Sequence, residues 1–206
     1  MRVAVVGGTG SFGTALARRL VEAGYDVVIG SRDAERARAT GAGLGAEGAT
    51  NHDAASSAEL VILATKAEAT LETAGELREA IGTKPVLSVA AELAFTSDGV
   101  LPTTEATSIA ARLQELLDGP VVAGLHSLAA RNLGADEAPE EDALVCGDDA
   151  DAKAVVLELA ERVTNGRAVD CGPLASARAL EGLTAVIVNV NKRYRAHAGV
   201  RISGLH

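Results

Sequence analysis

Residues 3–13 of this chain, VAVVGGTGSFG, decide its fold. The β-branched run Val3–Val6 predicts a short buried strand, which ends at two glycines. Apolar residues then recur at helical spacing until another glycine, the residue type that commonly follows a helix. Between the strand and the helix, Gly8, Gly10 and Gly13 fit the pattern G-x-G-x-x-G. In this position the pattern is typical of a turn that binds a dinucleotide.

Each of these three positions is expected to be glycine for a physical reason. Gly8 is expected to permit the tight turn, Gly10 to let the backbone approach a pyrophosphate, and Gly13 to let the helix pack closely on the strand. The helix that follows offers free N–H groups and the positive end of its dipole to phosphate. The alternative is a glycine-rich turn without a ligand, but the flanking strand and helix favour the dinucleotide.

The second predicted strand indicates which dinucleotide is bound. Residues 27–29 are apolar and end at Gly30, and Ser31-Arg32 follow where an NAD site usually has an acidic residue. A hydroxyl and guanidinium groups bind a 2′-phosphate, which an acid would repel. With Arg36 one helical turn further on, the sequence favours NADP over NAD. These arginines could instead be ordinary helix-surface charges, and we favour that interpretation for Arg38.

Predicted strands and helices alternate along the rest of the chain. Further strands are expected at 49–50, 60–63, 85–89, 121–123, 143–146 and 167–171, and helices at 33–44, 68–81, 107–117, 128–133, 151–163 and 173–196. Residues 90–104 are predicted to form a long loop. Strands joined by helices favour parallel pairing with right-handed crossovers. We therefore predict an α/β, doubly wound (Rossmann), mostly parallel sheet with a C-terminal α/β extension and a long closing helix.

This pattern also predicts the domain organisation. We expect residues 1–206 to form a single NADP-binding domain, because no repeat or low-complexity linker interrupts the chain. Residues 1–125 would form the dinucleotide-binding core, and residues 126–206 would extend the same domain.

Composition excludes several classes of protein. Of the 206 residues, 48% are hydrophobic and 2% aromatic, and the net charge is -9. Few aromatic side chains and an acidic balance argue against nucleic-acid binding. Cys146 and Cys171 are too few for a disulfide scaffold or a zinc site, and the scattered histidines match no metal-binding spacing. No apolar stretch approaches the roughly 18 residues of a membrane span, so we expect no membrane association and a cytoplasmic location.

Several segments carry a resemblance to a known family. They are MRVAVVGGTGSFG (1–13), VVIGSRDAERA (27–37), VVAGLHSLAAR (121–131), ALVCGDDADAKAVV (143–156) and VDCGPLASARALEGLTAVIVNVNKRYRAHAGVRISGL (169–205). Together they resemble the NADPH-dependent deazaflavin reductases, also called coenzyme F-420 (F420):NADP oxidoreductases. The resemblance implies NADP as cofactor, F420 as a small-molecule co-substrate, reversible hydride transfer and a homodimer.

The resemblance also implies functions for individual residues. No catalytic residue is expected, because a hydride that passes directly between two ring carbons needs no acid or base from the protein. Ala130 matches a position close to the nicotinamide, and Ala198 falls in a tail segment near the deazaflavin. The residues that match the phosphate-binding loop and the 2′-phosphate site are Thr9, Gly10, Ser11, Phe12, Ser31, Arg32 and Arg36.

Three further candidates follow predicted strands, at the edge of the sheet where ligands bind. Thr65 and Lys66 follow the strand at 60–63 and are predicted to bind the cofactor. His126 follows the strand at 121–123 and is a candidate substrate-binding residue. The alternatives are a simple loop lysine and a structural histidine.

Two segments depart from the family. Lys66-Ala67 stands where the family usually has Pro-Trp, and residues 90–93, AAEL, stand where many members have a segment of the Asn-Pro-Leu type. Both lie where nicotinamide and acceptor should meet, so two other hypotheses stay open. One is an NADP-dependent reductase of a small carbonyl or imine compound, with His126, Lys66 or Tyr194 as proton donor. The other is a non-enzymatic protein that senses NADP.

The C-terminal region has two further features. Its basic side chains either bind an anionic acceptor or form a solvated helix face. The apolar positions of the closing helix favour a homodimer. The basic cluster comprises Lys192, Arg193, Arg195 and Arg201, and the apolar positions are Leu183, Val186, Ile187 and Val190.

Overall fold

A central sheet of eight strands organises residues 1–205, the part of the chain that this computed structural model describes. The order across the sheet is β10-β9-β8-β5-β4-β1-β2-β3, and β6 and β7 form a separate antiparallel hairpin. The strands are β1 (Arg2–Val6), β2 (Asp26–Ser31), β3 (Glu47–Thr50), β4 (Leu60–Leu63), β5 (Val86–Ser88), β6 (Leu93–Thr96), β7 (Gly99–Pro102), β8 (Val121–Gly124), β9 (Ala143–Gly147) and β10 (Ala168–Asp170).

Helices cover both faces of this sheet. The two faces bury separate apolar cores, with Val3 and Val5 packed towards one and Val61 and Leu63 towards the other. The helices are α1 (Ser11–Glu22), α2 (Ala34–Leu44), α3 (Asn51–Ser57), α4 (Ala67–Glu76), α5 (Arg78–Ile81), α6 (Ile109–Leu116), α7 (Ala130–Leu133), α8 (Ala150–Val163) and α9 (Ala177–Tyr194). Within residues 1–205, no helix is both long and apolar enough to cross a membrane.

The predicted doubly wound, mostly parallel sheet is confirmed, with one reversal. Strands β1 to β5 and β8 pair in parallel wherever they meet in the sheet, whereas β9 runs antiparallel to β8. A parallel return to the sheet generally requires a crossover helix. The connection between β8 and β9 contains only the four-residue α7, so the chain turns back instead. The crossover through α8 then makes β10 parallel to β9.

Three local predictions differ from the structure. Residues 51–57, which lacked any predicted element, form α3, and its first turn is capped by the Thr50 hydroxyl, which accepts the Asp53 N–H at 3.1 Å. The stretch 90–104, predicted to be a loop, contains the hairpin of β6 and β7. The helix predicted at 68–81 is interrupted at Leu77, whose backbone leaves the helical conformation between α4 and α5.

A buried ion pair fixes the segment that follows α9. The Asp142 side chain is fully buried and accepts hydrogen bonds from the Arg167 guanidinium at 2.7 Å and from the Ile202 N–H at 2.7 Å. Arg167 also donates to the Leu205 carbonyl at 3.0 Å. The Asp142 N–H donates to the Val200 carbonyl at 2.8 Å. One carboxylate therefore joins the start of β9 to both β10 and the C-terminal tail.

Replacement of Asp142 tests this anchor. Asp142→Asn should lower the free energy of unfolding at pH 7 by about 2 kcal/mol, because charge-assisted hydrogen bonds are lost. The Arg167 guanidinium lowers the pKa of Asp142 to about 2, so this stabilisation is complete above about pH 4 and disappears as the pH falls towards 2. Urea unfolding measures the difference, with Asp136→Asn at a fully exposed position as control. Equal stability of the two variants would refute the anchor.

Candidate functional site

The turn after β1 is held by backbone hydrogen bonds. The Gly8 N–H donates to the carbonyls of Val5 and Gly30, each at 3.1 Å, and so ties the turn to β1 and β2 together. The left-handed residue of the turn is Gly7, with φ +76°, and this corrects the assignment of the tight turn to Gly8. Gly8 must be glycine for a different reason, because a Cβ there would lie 2.7 Å from the Val5 carbonyl oxygen.

The other two glycines of the motif differ in what surrounds them. A Cβ at Gly13 would lie 2.8 Å from both the Gly7 oxygen and the Gly8 Cα. Gly13 therefore lets α1 pack against the turn, whereas the prediction was close packing of the helix on the strand. A Cβ at Gly10 would contact only the Gly7 oxygen, at 3.3 Å. Gly10 is the N-cap of α1 and carries no side-chain cap, so the first N–H groups of this helix remain available to a ligand.

The first cavity, of about 620 Å³, lies at the carboxyl ends of β1, β2 and β4. This is where the strand order reverses, the usual ligand site of a doubly wound sheet. The Arg36 guanidinium donates to the Thr9 carbonyl at 3.2 Å, whereas Arg32 is exposed and has no hydrogen bond or ion pair within the described part of the chain. The predicted residues that line this first cavity are Thr9, Gly10, Ser31, Arg32, Arg36, Thr65 and Lys66.

The second cavity, of about 240 Å³, lies beyond the carboxyl ends of β4, β5 and β8. It shares Ala64, Thr65 and Lys66 with the first cavity, so the two adjoin along one edge of the sheet. Both segments that depart from the family pattern contribute to it. Its lining consists of Phe12, Ala64, Thr65, Lys66, Ala67, Val89, Ala90, Ala91, Leu93, Leu125, His126, Leu128 and Thr184.

His126 lines the second cavity and has one buried ring nitrogen without a hydrogen-bond partner in residues 1–205. Its side chain is buried, and Nε2 lies 3.0 Å from the Ala90 carbonyl oxygen. Burial lowers the pKa of His126 to about 4, so the ring is neutral at pH 7. The carbonyl accepts a hydrogen bond, so Nε2 carries the proton and Nδ1 is an acceptor. No residue in 1–205 donates to that Nδ1.

The backbone before His126 is strained. Leu125 is fully buried and has φ +65°, a conformation that costs a non-glycine residue about 1 kcal/mol or more. Its N–H donates to the Leu144 carbonyl at 3.1 Å, and the Thr184 hydroxyl donates to the His126 carbonyl at 3.2 Å. Strands β8 and β9 and helix α9 together therefore fix the direction of the His126 ring.

Five predicted residues line neither of these two cavities: Gly8, Ser11, Gly13, Ala130 and Ala198. Ala130 begins α7 and lines a third cavity, of about 410 Å³, together with Thr9, Gly10 and Ser11. It is therefore beside the glycine-rich turn. Ala198 lies in the C-terminal tail, where its N–H donates to the Asn191 Oδ1 at 2.6 Å.

Sequence reasoning missed several polar lining residues: Asp33, Asn51, Glu72, Thr73 and Glu76 in the first cavity and Thr184 in the second. Asn51 lines the first cavity, and its buried Oδ1 has no hydrogen-bond partner within residues 1–205. Its position directly after β3, at the carboxyl edge of the sheet, was a usable signal. Thr184 lines the second cavity from the middle of α9, 118 positions after Lys66 in sequence. No local pattern distinguishes it from other polar positions of that helix.

Comparisons with known proteins agree with this geometry. Residues 2–92 match the family model for coenzyme F420-dependent NADP oxidoreductases. The F420-dependent NADP reductase of Methanothermobacter thermautotrophicus is 35% identical, over 100% of this chain and 96% of that protein. The enzyme of the same name from Methanothermobacter marburgensis is 36% identical, over 100% of this chain and 99% of that protein.

A solved structure extends the similarity to the fold of nearly the whole chain. A crystal structure from Arthrobacter sp. FB24, provisionally described as an F420-dependent NADP reductase, superimposes with a TM-score of 0.84 at 27% identity. The match covers 98% of this chain and 99% of that one.

Substitution of two glycines separates binding from folding. Gly10→Val should abolish dinucleotide binding with a smaller loss of Tm than Gly13→Ala, because its Cβ would meet only one atom, the Gly7 oxygen at 3.3 Å. Gly13→Ala should lower the Tm, since its Cβ would meet backbone atoms of the turn. Calorimetry and thermal unfolding check both. Tight dinucleotide binding by a folded Gly10→Val protein would show that the phosphates bind elsewhere.

Proposed function

This chain belongs to the family of F420-dependent NADP reductases, and from the geometry of its two cavities we propose how it transfers a hydride between NADPH and coenzyme F420. The protein is an oxidoreductase, and NADP and F420 are its co-substrates. The observation that carries the proposal is that a polar cavity with two arginines adjoins an apolar cavity along one sheet edge. An extended dinucleotide needs a polar environment for its phosphates and an apolar one for its nicotinamide ring.

The first cavity has the groups that a phosphorylated dinucleotide requires. Arg32 has a guanidinium free of partners in residues 1–205, and Arg36 already faces the turn through Thr9. We assign the 2′-phosphate to Arg32, Arg36 and Ser31, and the pyrophosphate to the turn from Gly8 to Gly13. The glycine-rich turn fits the pyrophosphate because the side of Gly10 that would carry a Cβ is nearly open. The nicotinamide then extends past Thr65 and Lys66 into the second cavity.

The second cavity suits ring-to-ring hydride transfer. Nicotinamide and deazaflavin supply the redox chemistry, because the hydride carries both electrons directly from one ring carbon to the other. Apolar side chains such as Phe12 and Leu128 would exclude water from the bound rings. Hydride transfer would require the reacting atoms to lie about 3–3.5 Å apart. We propose that His126, fixed by its hydrogen bond to the Ala90 carbonyl, positions a ring through contact with its side chain. His126 is neutral at pH 7, and direct hydride transfer needs no proton from the protein. We therefore assign no catalytic acid or base.

Turnover measurements test this function directly. NADPH and oxidised F420 should react in the presence of the protein, with loss of deazaflavin absorbance, and NADH should be a much poorer donor. Binding of NADPH without F420 reduction would favour a reductase of another carbonyl or imine substrate, or an NADP-sensing protein. For the former, Lys66 would be a better proton donor than Tyr194, which is 72% exposed and does not line the second cavity.

Charge reversal at Arg32 tests the choice of dinucleotide. Arg32→Glu should weaken NADPH binding at least about tenfold, because hydrogen bonds to charged groups contribute roughly 1.5–3 kcal/mol. NADH binding should change much less, since NADH lacks the 2′-phosphate. Isothermal titration of both dinucleotides measures this selectivity. Unchanged NADPH affinity would remove Arg32 from the site.

We further propose a homodimer. The Val186 and Val190 side chains are exposed on α9, whereas Ile187 is buried within the chain. The hairpin packs against α9 and exposes Phe95, over which the Lys192 ammonium lies at 5.5 Å from the ring centre. We propose that a second copy would cover these exposed apolar side chains. Light scattering tests this association.

We also propose a cytoplasmic location for the protein and a single domain for the chain. A buried free thiol is compatible with the reducing cytoplasm, and burial raises the pKa of Cys146 to about 12. The eight-stranded sheet extends from β1 to β10, which supports a single domain over residues 1–206.

The basic cluster at the C-terminus is proposed to attract the anionic tail of the acceptor. Arg193 and Arg195 are exposed and have no ion pair within residues 1–205, whereas Arg201 lies 3.6 Å from a Glu140 oxygen. Ala198 lies in the same segment, and we propose that this segment contributes to acceptor binding.

A double substitution tests the cluster. Arg193→Ala with Arg195→Ala should raise the KM for F420, and salt should reduce the difference from the unmodified protein, because exposed charges are screened over about 8–10 Å. The kcat should change little, because these groups would bind ground and transition states alike. Arg38→Ala with Arg162→Ala removes equal charge elsewhere and serves as control. An unchanged KM, or an altered oligomeric state, would assign the cluster to a solvated face or to the dimer.

A further inference from the structure

The second cavity contains one formal charge among side chains otherwise apolar or neutral. Within residues 1–205, Lys66 is the only lining residue that is charged at pH 7, since Thr65, Thr184 and neutral His126 supply the other polar groups. Two acids, Glu68 and Glu92, are adjacent in sequence to lining residues, and neither lines the cavity. The Glu92 carboxylate accepts hydrogen bonds from Arg112 at 2.9 Å and from the Thr103 hydroxyl at 3.1 Å.

The Lys66 ammonium is also free of a local counter-ion. It has no ion pair with an acidic side chain of the described residues. Lys66 is the N-cap of α4, and its carbonyl accepts the Thr70 hydroxyl at 2.9 Å, so the backbone beneath the side chain is fixed. The positive charge is therefore attached at the junction of the two cavities without an ion pair in the described part of the chain, and the acids Asp33, Glu72 and Glu76 line only the first cavity.

We propose that Lys66 makes this site discriminate between the two redox states of the dinucleotide, favouring NADPH over NADP⁺. The inference rests on the proposed function, which places the nicotinamide in the second cavity. The reduced ring is neutral, and loss of a hydride to the deazaflavin leaves the oxidised ring with one positive charge. The Lys66 ammonium, although its side chain is exposed, repels that charge, and the apolar lining that excludes solvent strengthens the repulsion relative to water.

This discrimination has a defined consequence for turnover. A single residue cannot alter the overall equilibrium between free NADPH and free F420. It can weaken the binding of NADP⁺ relative to NADPH, and so reduce inhibition by the oxidised product when NADPH is the donor. Lys66 would act in this way as a specificity-determining residue that takes no part in proton transfer.

Three ligands and two substitutions test the proposal by binding alone. The ligands are NADPH, NADP⁺ and 2′-phospho-ADP-ribose, which lacks the nicotinamide ring. Lys66→Met removes the charge at similar length, and Lys66→Arg keeps it. We expect the ratio of the Kd for NADP⁺ to the Kd for NADPH to fall about tenfold in Lys66→Met. In Lys66→Arg the ratio should stay at its value in the unmodified protein. The Kd for 2′-phospho-ADP-ribose should stay within about twofold.

A control variant and two contrary outcomes make the result decisive. Arg38→Met removes a positive charge from α2 without touching either cavity, and it should leave the ratio unchanged. If Lys66→Met weakens all three ligands equally, Lys66 is a phosphate contact and the proposal is wrong. If both dinucleotides bind and the ratio is indifferent to Lys66, the proposal fails while the proposed function stands. An unmodified protein that binds neither dinucleotide would overturn both.

Discussion

The backbone N–H of Gly8 is the contact on which the rest of the site depends. Because it donates to both Val5 and Gly30, the end of β1, the turn and the end of β2 form one rigid unit. That unit fixes where α1 begins, and therefore where its free N–H groups point. It also fixes how far Ser31 and Arg32 lie from the turn. A Cβ at Gly8 or Gly13 would break the unit through backbone contacts under 3 Å, which explains why residues 7–13 govern the fold.

Some of this structure was predictable from local sequence, and the reasons are physical. The unit of β1 and α1 has two independent signals, a β-branched run and glycines at fixed spacing. Both predicted the strand and the helix correctly, although the left-handed residue of the turn is Gly7 and not Gly8. Helix α3 was missed because its buried apolar residues are only Ala54 and Ala55, which are too small to produce a strong periodic signal. The hairpin was missed although Asp98-Gly99 is a typical turn pair. Its outward residues Phe95 and Leu101 break the alternation expected of a half-buried strand.

The second cavity could not be predicted in the same way. Lys66, Ala90, His126 and Thr184 come from β-strand ends and from α9, and only the folded chain brings them together. The sequence did indicate that His126 lies at the ligand edge of the sheet. It did not indicate that the ring is buried, neutral and left with an unused acceptor. Both departures from the family pattern line this one cavity, so substitutions at these positions change a shared environment.

The central claim is that the apolar cavity brings two rings together for direct hydride transfer. Isotope transfer measures this most directly. NADPH carrying deuterium at both hydrogens of its reactive ring carbon is mixed with oxidised F420 and the protein, and the reduced coenzyme is analysed by mass spectrometry. We expect one deuterium to be retained on each reduced F420 molecule, with none released to water. Reduced coenzyme without deuterium, or no reduced coenzyme, would contradict direct transfer between the rings.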